Sequence, residues 1–329
     1  MKRIYNKVYQ AAMAALMLTA ATACTGDNAL LQNNDTPQTG RPVTITATYQ
    51  GAGTPDGTDA QTRTGYSLNG NGGMQVKWKK GDKIYIINAD NLQMGNNLTE
   101  AGFEEFTLVG EGEQATGTFQ NENSSLDLTK KMYAVYCGNN ASNKISVTIP
   151  PGLDAKSYRY SFNMTGQRQP ETNKTPHLVD YDLMCATVKD NATNPSFNFT
   201  HINAILRLKL KLPSGNTVYN VKEVKVANSQ NTFISTIIVN PESEAVETGT
   251  FTDNCTLKCG ENDNGMKVNG SPATINAYMM VQSNPISANS NITITVTCTD
   301  GNTYSTTITP TTDFVMSPGT YNSIEATLK

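Results

Sequence analysis

The chain has 329 residues, of which 16% are charged, and its formal net charge is -3 at neutral pH. This length favours two domains over one, and the weakly acidic balance provides no basic surface for nucleic acid. No segment after residue 24 is apolar enough to span a membrane. Abundant Thr, Asn, Ser and Gly, without long amphipathic helical patterns, indicate an all-β protein with many turns.

The beginning of the chain predicts an export signal over residues 1–23. It carries three positive charges, and residues 11–20 form a short apolar segment that is followed by small residues directly before Cys24. A cysteine at this point is typical of a bacterial lipoprotein, in which acyl chains such as palmitate on Cys24 anchor the mature protein to a membrane. An ordinary secretory signal followed by a chance cysteine is the alternative.

A polar segment, one strand and a loop follow the signal. Residues 24–41 are polar and aperiodic, which predicts a flexible tether. Residues 43–49 alternate between apolar side chains and threonine, which predicts a half-buried first strand. Its inward side chains are Val43, Ile45, Ala47 and Tyr49. Residues 50–63 are rich in Gly, Pro and Asp and predict an exposed loop that is open to proteolysis.

Strand patterns continue to the middle of the chain. Lys79–Asp82 indicates a turn, and the continuous apolar segment MYAVYC (132–137) predicts a strand that is buried on both faces. The glycine-rich segment GEGEQATG (110–117) is followed by no helical pattern, so a hairpin turn explains it better than a phosphate-binding loop. Other strand patterns lie at residues 76–78, 84–86, 106–108 and 145–150, and a loop-rich stretch of about thirty residues then extends to the segment 181–188.

A second block of strands begins after the polar segment KDNATNP. We place a domain boundary there, at residues 190–196, which gives domains at 42–193 and 194–329. The apolar positions change phase within the first strand of the second block, which requires an interruption around His201–Ala204. Asp300–Gly301 predicts a hairpin. Short strands with turn signals throughout are typical of β-sandwiches.

Cysteine and histidine form no metal or cofactor pattern. Beyond Cys24 the number of cysteines is odd, so at least one cannot pair within the chain. On a straight strand Cys255 and Cys259 would lie about 13 Å apart, too far for a disulfide, although a turn between them would permit one. We expect no metal site, because only His177 and His201 could join these cysteines and neither is near them. The remaining cysteines are Cys137, Cys185 and Cys298.

Taken together and in this order, five segments resemble the fimbrillin family of Bacteroidota, the subunits of type V pili. The resemblance covers almost the whole mature chain, and the order of the segments behind a lipoprotein signal makes it fairly specific. The segments are VKWKKGDKIYI (76–86), FTLVGEGEQATGTF (106–119), YDLMCA (181–186), FNFTHINAILRLKL (197–210) and FVMSPGTYNSIEATL (314–328).

The resemblance implies two tandem transthyretin-like β-sandwich domains and a surface-exposed lipoprotein precursor in the cell outer membrane. Separately, we expect no cofactor, because the sequence carries no cofactor fingerprint. An arginine-specific or trypsin-like protease would cut in the loop after the first strand, and a donor strand from another fimbrillin subunit would then fill the groove. The matching cleavage site is Arg63, in QTR-TG. Arg41 is a weaker candidate, because Pro42 follows it and a cut there would leave the first strand in place.

The last strand bears on the position of the subunit in the fimbrium. Ile324, Ala326 and Leu328 alternate up to the end of the given sequence at Lys329, where stalk subunits of the family usually continue into a donor segment. We therefore expect a tip or accessory subunit that accepts a strand. An anchor that keeps its lipid and its first strand is one alternative, and a final strand that swings out to donate is another.

The expected function is structural: a fimbrial subunit that serves adhesion or biofilm formation. The alternative is a lipid-anchored surface protein that does not polymerise and binds a glycan or a host protein through exposed aromatic side chains. Trp78, the single tryptophan, lies in the predicted amino-terminal domain rather than the carboxy-terminal one that would bind the ligand. Tyrosines could serve instead, although buried or edge positions explain them as well: Tyr158, Tyr160, Tyr278 and Tyr304. We expect no enzyme, because no grouping of nucleophile, base and orienting residue is recognisable. For His201, local hydrogen bonding is a better explanation than catalysis.

Overall fold

The computed structural model describes most of the chain from residue 40 onward. Of the residues that it describes, 55% are in strands and 4% in helices, so the predicted all-β fold class is confirmed. The number of domains stays a prediction. The predicted signal peptide (1–23), Cys24, the loop 50–63 and its Arg63 lie outside the described residues. The described residues are 40–49, 67–68, 74–75, 77–111, 115–138, 144–190, 195–215 and 218–329.

Twenty-two strands are described. The first eleven are β1 (Arg41–Tyr49), β2 (Ser67–Leu68), β3 (Met74–Gln75), β4 (Lys83–Asn88), β5 (Glu104–Val109), β6 (Thr116–Ser124), β7 (Met132–Tyr136), β8 (Ile145–Thr148), β9 (Arg159–Asn163), β10 (Arg168–Gln169) and β11 (Met184–Val188). The others are β12 (Ser196–His201), β13 (Ala204–Lys211), β14 (Val218–Asn228), β15 (Phe233–Asn240), β16 (Ala245–Thr252), β17 (Asn254–Cys259), β18 (Met266–Asn269), β19 (Thr274–Val281), β20 (Ile292–Cys298), β21 (Thr303–Ile308) and β22 (Tyr321–Thr327).

In the part of the chain that the structure describes, helical structure is limited to short 3-10 turns such as Ala89–Asn91 and Pro176–Tyr181. No helix in the described ranges has the length and hydrophobicity of a transmembrane segment. The predicted tether included Arg41, but β1 begins at this residue, because its backbone pairs with Ser124 of β6.

Seven strands of the amino-terminal region form one hydrogen-bonded sheet that closes on itself. Its order is β1-β12-β11-β7-β4-β5-β6, and β6 pairs again with β1. The closure depends on β1, which runs antiparallel to β6 on one side and parallel to β12 on the other. The interior carries the predicted buried strand β7, in which Met132, Ala134 and Val135 are fully buried.

The other strands form further sheets around two hydrophobic clusters. One sheet has the order β10-β17-β14-β20-β21, with β18 also paired to β14, and others have the orders β19-β13-β22 and β16-β15-β9-β8. The amino-terminal cluster includes Trp78, Phe119 and Phe199. The carboxy-terminal cluster is built on alternating residues such as Leu206 and Leu208 of β13. Each cluster therefore fills the interior between sheets, and every second residue of a strand contributes its side chain to it.

Strands from both sides of the predicted domain boundary share sheets. β12 follows the boundary but pairs with β1 and β11 of the closed sheet, and β15 pairs with β9. In the other direction, β10 pairs with β17. The predicted interruption at His201–Ala204 is confirmed, since β12 ends at His201 and β13 begins at Ala204. A division between residues 193 and 194 stays a prediction, and a cut there would separate paired strands.

Two glutamine side chains attach the segment around β10 to the carboxy-terminal sheet. The amide group of Gln167 accepts a hydrogen bond from the Met280 N–H at 2.8 Å and donates one to the Met280 carbonyl at 2.7 Å. Gln169 accepts from the Tyr278 N–H at 2.8 Å and donates to the Asn276 carbonyl at 2.8 Å. Within the described ranges β19 pairs only with β13. The two amides therefore cover its second edge as a neighbouring strand would.

Replacement of Ile237 tests whether β15 belongs to the amino-terminal core. Ile237 is fully buried in that cluster, while Ile238, the next residue of the same strand, is half-buried on the other face. We expect Ile237→Ala to lower the free energy of unfolding by about 2–5 kcal/mol, because it leaves a cavity. The matched control Ile238→Ala should cost clearly less. Urea titration followed by circular dichroism measures both, and equal losses would contradict this packing.

Candidate functional site

The residues predicted for strand exchange in the first strand lie on β1, between β6 and β12. We call the space that β1 occupies between these two strands the β1 slot. Along β6, Ile45 faces Phe119 and Ala47 faces Gly117 in an antiparallel register. Along β12, Ala47 also faces Phe197 in a parallel register. Both backbone edges of β1 are therefore used, and its loss would leave two unpaired strand edges.

One face of β1 is completely buried in the closed sheet. The side chains of Val43, Ile45 and Ala47 are 3%, 1% and 0% exposed. Thr44 and Thr46 on the opposite face are exposed. The backbone of residue 49 pairs with β12, but its side chain lies outside the described part of the structure. The observed alternation has the phase that the sequence predicts.

Trp78 lies beneath β1 and holds it by a hydrogen bond. Its indole Nε1–H donates to the Ala47 carbonyl at 3.1 Å, and the residue is 1% exposed. The ring packs edge-on against Phe119, Tyr136 and Phe199, with centroid distances of 5.1, 5.3 and 5.7 Å. Such edge-to-face pairs stabilise beyond the area that they bury. Trp78 is therefore the aromatic floor of the β1 slot.

Gly117 leaves the space that the Trp78 ring and its neighbours occupy. A Cβ atom added to Gly117 would lie 2.7 Å from Leu108 Cδ1, 2.7 Å from Phe119 Cε2 and 3.0 Å from Trp78 Cδ1. All three distances are too short or very tight for carbon atoms. The smallest residues of the two strands, Ala47 and Gly117, thus face each other where the tryptophan approaches the backbone.

Sequence reasoning placed Trp78 beside solvated lysines and did not assign Gly117 a role. A signal for Gly117 was present, because a glycine inside a strand pattern often marks a close approach of another group. Nothing in the local pattern of KWKK (77–80) indicates that the tryptophan contacts residue 47, since this contact arises only when the sheet closes.

The ends of β1 are also fixed. Gly40 approaches β6 so closely that an added Cβ would lie 2.6 Å from the Asn123 carbonyl oxygen, and the register with β6 shifts between Arg41 and Val43. At the other end, the Thr48 hydroxyl donates to the Asn198 side-chain carbonyl. The strand is therefore held along its whole length.

The free energy that β1 contributes to folding follows, to an order of magnitude, from its buried side chains. At roughly 1.5–3 kcal/mol per large buried apolar side chain, Val43 and Ile45 contribute about 3–6 kcal/mol before chain entropy is subtracted. The bond from Trp78 adds to this, because a buried donor left without an acceptor costs about 1–3 kcal/mol. An empty slot would therefore be a strongly adhesive surface.

The second predicted set of exchange residues lies elsewhere, with Ile324 and Ala326 on β22 and Leu328 directly after it. This strand pairs in parallel with β13, and Leu208 faces Ile324. Ile324 and Ala326 are half-buried, whereas Leu328 is 1% exposed. The structure does not bring these residues to the β1 slot of the same chain, because the two strands belong to different sheets.

The histidines occupy buried, structural positions. His201 Nδ1 lies 2.8 Å from Asp182 Oδ1, as expected for a locally bonded histidine. Burial lowers the pKa of His201, but the charge and the hydrogen bond of Asp182 outweigh burial and raise the pKa above its usual value. His177 Nε2 lies 2.8 Å from the Tyr278 carbonyl oxygen, and burial lowers the pKa of His177 to about 4.

The five cysteines from Cys137 onward are free thiols. Cys255 and Cys259 lie on one strand, β17, which keeps them apart. Burial raises the pKa of Cys137 and of Cys255 to about 12, so neither is a reactive thiolate. The described ranges contain no group of three or more His, Cys, Asp or Glu side chains that could hold a metal ion.

Most aromatic candidates for a glycan platform are buried. Trp78, Tyr160 and Tyr278 are at most 1% exposed. Tyr158 and Tyr304 are half-buried, and Tyr304 packs edge-on against Tyr219 at 5.6 Å. Buried rings cannot stack on a sugar, so the five aromatic residues do not form a common exposed surface.

Replacement of Ile45 tests how much the buried face of β1 contributes to the fold. We expect Ile45→Ala to lower the free energy of unfolding by about 2–5 kcal/mol. Thr46→Ala, on the exposed face of the same strand, should cost less than about 1 kcal/mol. Guanidinium titration of the full chain measures both values. Similar values for the two variants would mean that β1 does not carry the contacts described here.

Comparison with known proteins finds a family model and several similar solved structures. A family model described as fimbrillin-like matches residues 62–329. A candidate cell adhesion protein from Bacteroides ovatus is 15% identical, with a TM-score of 0.46, and the match covers 88% of this chain and 93% of that chain. The fimbrial anchor protein Mfa2 from Porphyromonas gingivalis is 13% identical, with a TM-score of 0.33 and coverage of 80% and 82%.

A fimbrial protein from Bacteroides vulgatus is also similar, at 13% identity and a TM-score of 0.35, with 86% of this chain and 95% of that chain covered. No match is found among the curated proteins. The family model covers most of the chain, including every strand from β2 onward. The chain belongs to the fimbrillin-like family, whose members are fimbrial subunits.

Proposed function

We propose that the β1 slot is the assembly site of this fimbrial subunit: proteolysis releases β1, and a strand from another subunit replaces it. The observation that carries the proposal is the position of β1. It is bonded along both edges and buries one face over Trp78, so its removal opens a single, continuous groove. A donor strand restores both the hydrogen bonds and the apolar burial.

The cleavage site in this proposal is Arg63. It lies in the loop predicted after β1, so a cut there leaves β1 bound only by the non-covalent contacts described above. An arginine-specific or trypsin-like protease is the proposed enzyme. Arg41 is less suitable, because it lies within β1 and precedes Pro42.

Membrane attachment and release follow from the same step. We propose that acylated Cys24 anchors the precursor in the outer membrane at the cell surface. After the cut, this anchor would leave the folded chain together with β1, because Cys24 and β1 both precede Arg63. The processed subunit would then be part of the fimbrium, where it serves adhesion or biofilm formation.

The contacts of β22 support a subunit that accepts a strand rather than one that donates its last strand. The Leu328 N–H donates to the Lys211 carbonyl at 2.8 Å. The backbones of Lys329 and Ser305 exchange two hydrogen bonds of 3.1 Å, which connect this end to β21. Because β22 pairs with β13 and Lys329 after it bonds to β21, release of this segment would cost both sets of contacts. We propose a tip or accessory position for this reason.

A purely ligand-binding surface protein has less support. The aromatic residues that would recognise a glycan are mostly buried, and Trp78 is already used to hold β1. Binding of a host protein or a glycan by a tip subunit stays compatible with strand exchange.

Limited trypsin digestion of the full-length precursor tests the proposal. We expect one early cut after Arg63, followed by replacement of β1 when other fimbrial subunits of the same cell are added. Arg63→Gln should block both events, whereas the control Arg41→Gln should leave them unchanged. Native mass spectrometry follows the mass lost with β1 and the mass gained with a donor.

Two results would contradict the proposal. One is resistance of Arg63 to the protease while circular dichroism shows an intact fold. The other is a cleaved chain that retains β1, or stays monomeric, with every fimbrial subunit offered.

A further inference from the structure

The positions that β1 buries differ in size along the slot. Val43 and Ile45 are large and β-branched, whereas Ala47 is small, yet all three are fully buried. We infer that the β1 slot selects its replacement strand by this size order. The strand would need large apolar residues at the positions of Val43 and Ile45 and a residue no larger than alanine at the position of Ala47. This inference rests on the strand exchange proposed above.

The restriction to a small residue arises from aromatic packing around Ala47. Phe197 and Gly117 face Ala47 from the two neighbouring strands, and Trp78 bonds to its carbonyl. Gly117 itself has no space for one additional carbon atom, because Leu108, Phe119 and Trp78 already surround it. A larger side chain at position 47 would have to displace fully buried rings, and such overpacking is destabilising.

The packing around Ala47 also fixes the register of an incoming strand. A shift by one residue would turn the apolar side chains to the exposed face. A shift by two residues that moves the Ile45 side chain to the position of Ala47 would force an isoleucine against Gly117 and Trp78. The order large, large, small therefore permits the unshifted register and disfavours both of these shifts.

The final strand of the chain repeats part of this order. Residues 45–49 are ITATY, and residues 324–328 are IEATL. Ile324 and Ala326 thus have the spacing of Ile45 and Ala47, with a threonine next and then a large apolar residue. In the folded chain β22 is paired with β13, and Lys329 after it is bonded to β21. The repeat therefore indicates which side chains a donor strand would need, but this strand is not free to donate.

Exchange of β1 for synthetic peptides tests the size rule in the full chain cut once after Arg63, with β1 still bound. The peptides are residues 41–49 unchanged, the same peptide with Ala47→Leu, and a matched control with Thr46→Leu, which adds the same side chain on the exposed face. A fourth peptide has the sequence of residues 321–329. Native mass spectrometry measures the fraction of chains that have exchanged β1.

We expect the unchanged peptide and the Thr46→Leu peptide to exchange within about twofold of each other. The Ala47→Leu peptide should exchange at least about tenfold less, because of overpacking, and the peptide of residues 321–329 should exchange measurably. Refolding of the cut chain from urea with excess peptide gives the same comparison when exchange into the folded chain is slow.

The outcomes separate the size rule from strand exchange itself. Equal exchange of the unchanged and Ala47→Leu peptides would overturn the size rule and leave strand exchange standing. Failure of all four peptides, also after refolding, would overturn both. Polymerisation of cut copies, with residues 321–329 of one copy in the β1 slot of the next, would contradict the proposed tip or accessory position.

Discussion

The closed amino-terminal sheet depends on one strand that is hydrogen-bonded on both sides. β1 connects β6 to β12, and its Ala47 carbonyl accepts the bond from the buried indole of Trp78. The side chains that fill the sheet pack against the inner face of β1. Without β1 the ladder would be open, two edges would lack partners and the aromatic floor would face solvent. In the proposed assembly, stability and the binding of a donor strand thus have the same physical origin.

The walls of the β1 slot are connected to the rest of the molecule through several sheets. β12, which forms one wall, continues after a two-residue break into β13 of the carboxy-terminal sheet. β15 pairs with β9, and the Gln167 and Gln169 amides bind β19. These connections join strands from both halves of the chain. Loss of β1 would therefore remove only one strand from sheets that many other contacts hold together. This explains how a subunit could lose its first strand and keep its fold.

Period-two patterns made the strands predictable. The alternation of Val43, Ile45 and Ala47, the change of phase near His201 and the all-β class all follow from local sequence, since each reflects side chains on one face of a strand. The partners of those strands could not be derived in this way. The contact of Trp78 with Ala47 and the position of β12 in the amino-terminal sheet join residues far apart in sequence, and only the closed topology determines them.

The fluorescence of Trp78 tests the central claim most directly, because it is the only tryptophan and lies beneath β1. The emission of the full chain should be that of a buried indole. After cleavage and loss of β1 it should shift to longer wavelengths while circular dichroism stays constant, and it should return when a donor strand binds. An emission spectrum that does not change when β1 leaves, or does not recover when a donor binds, would contradict a refillable β1 slot.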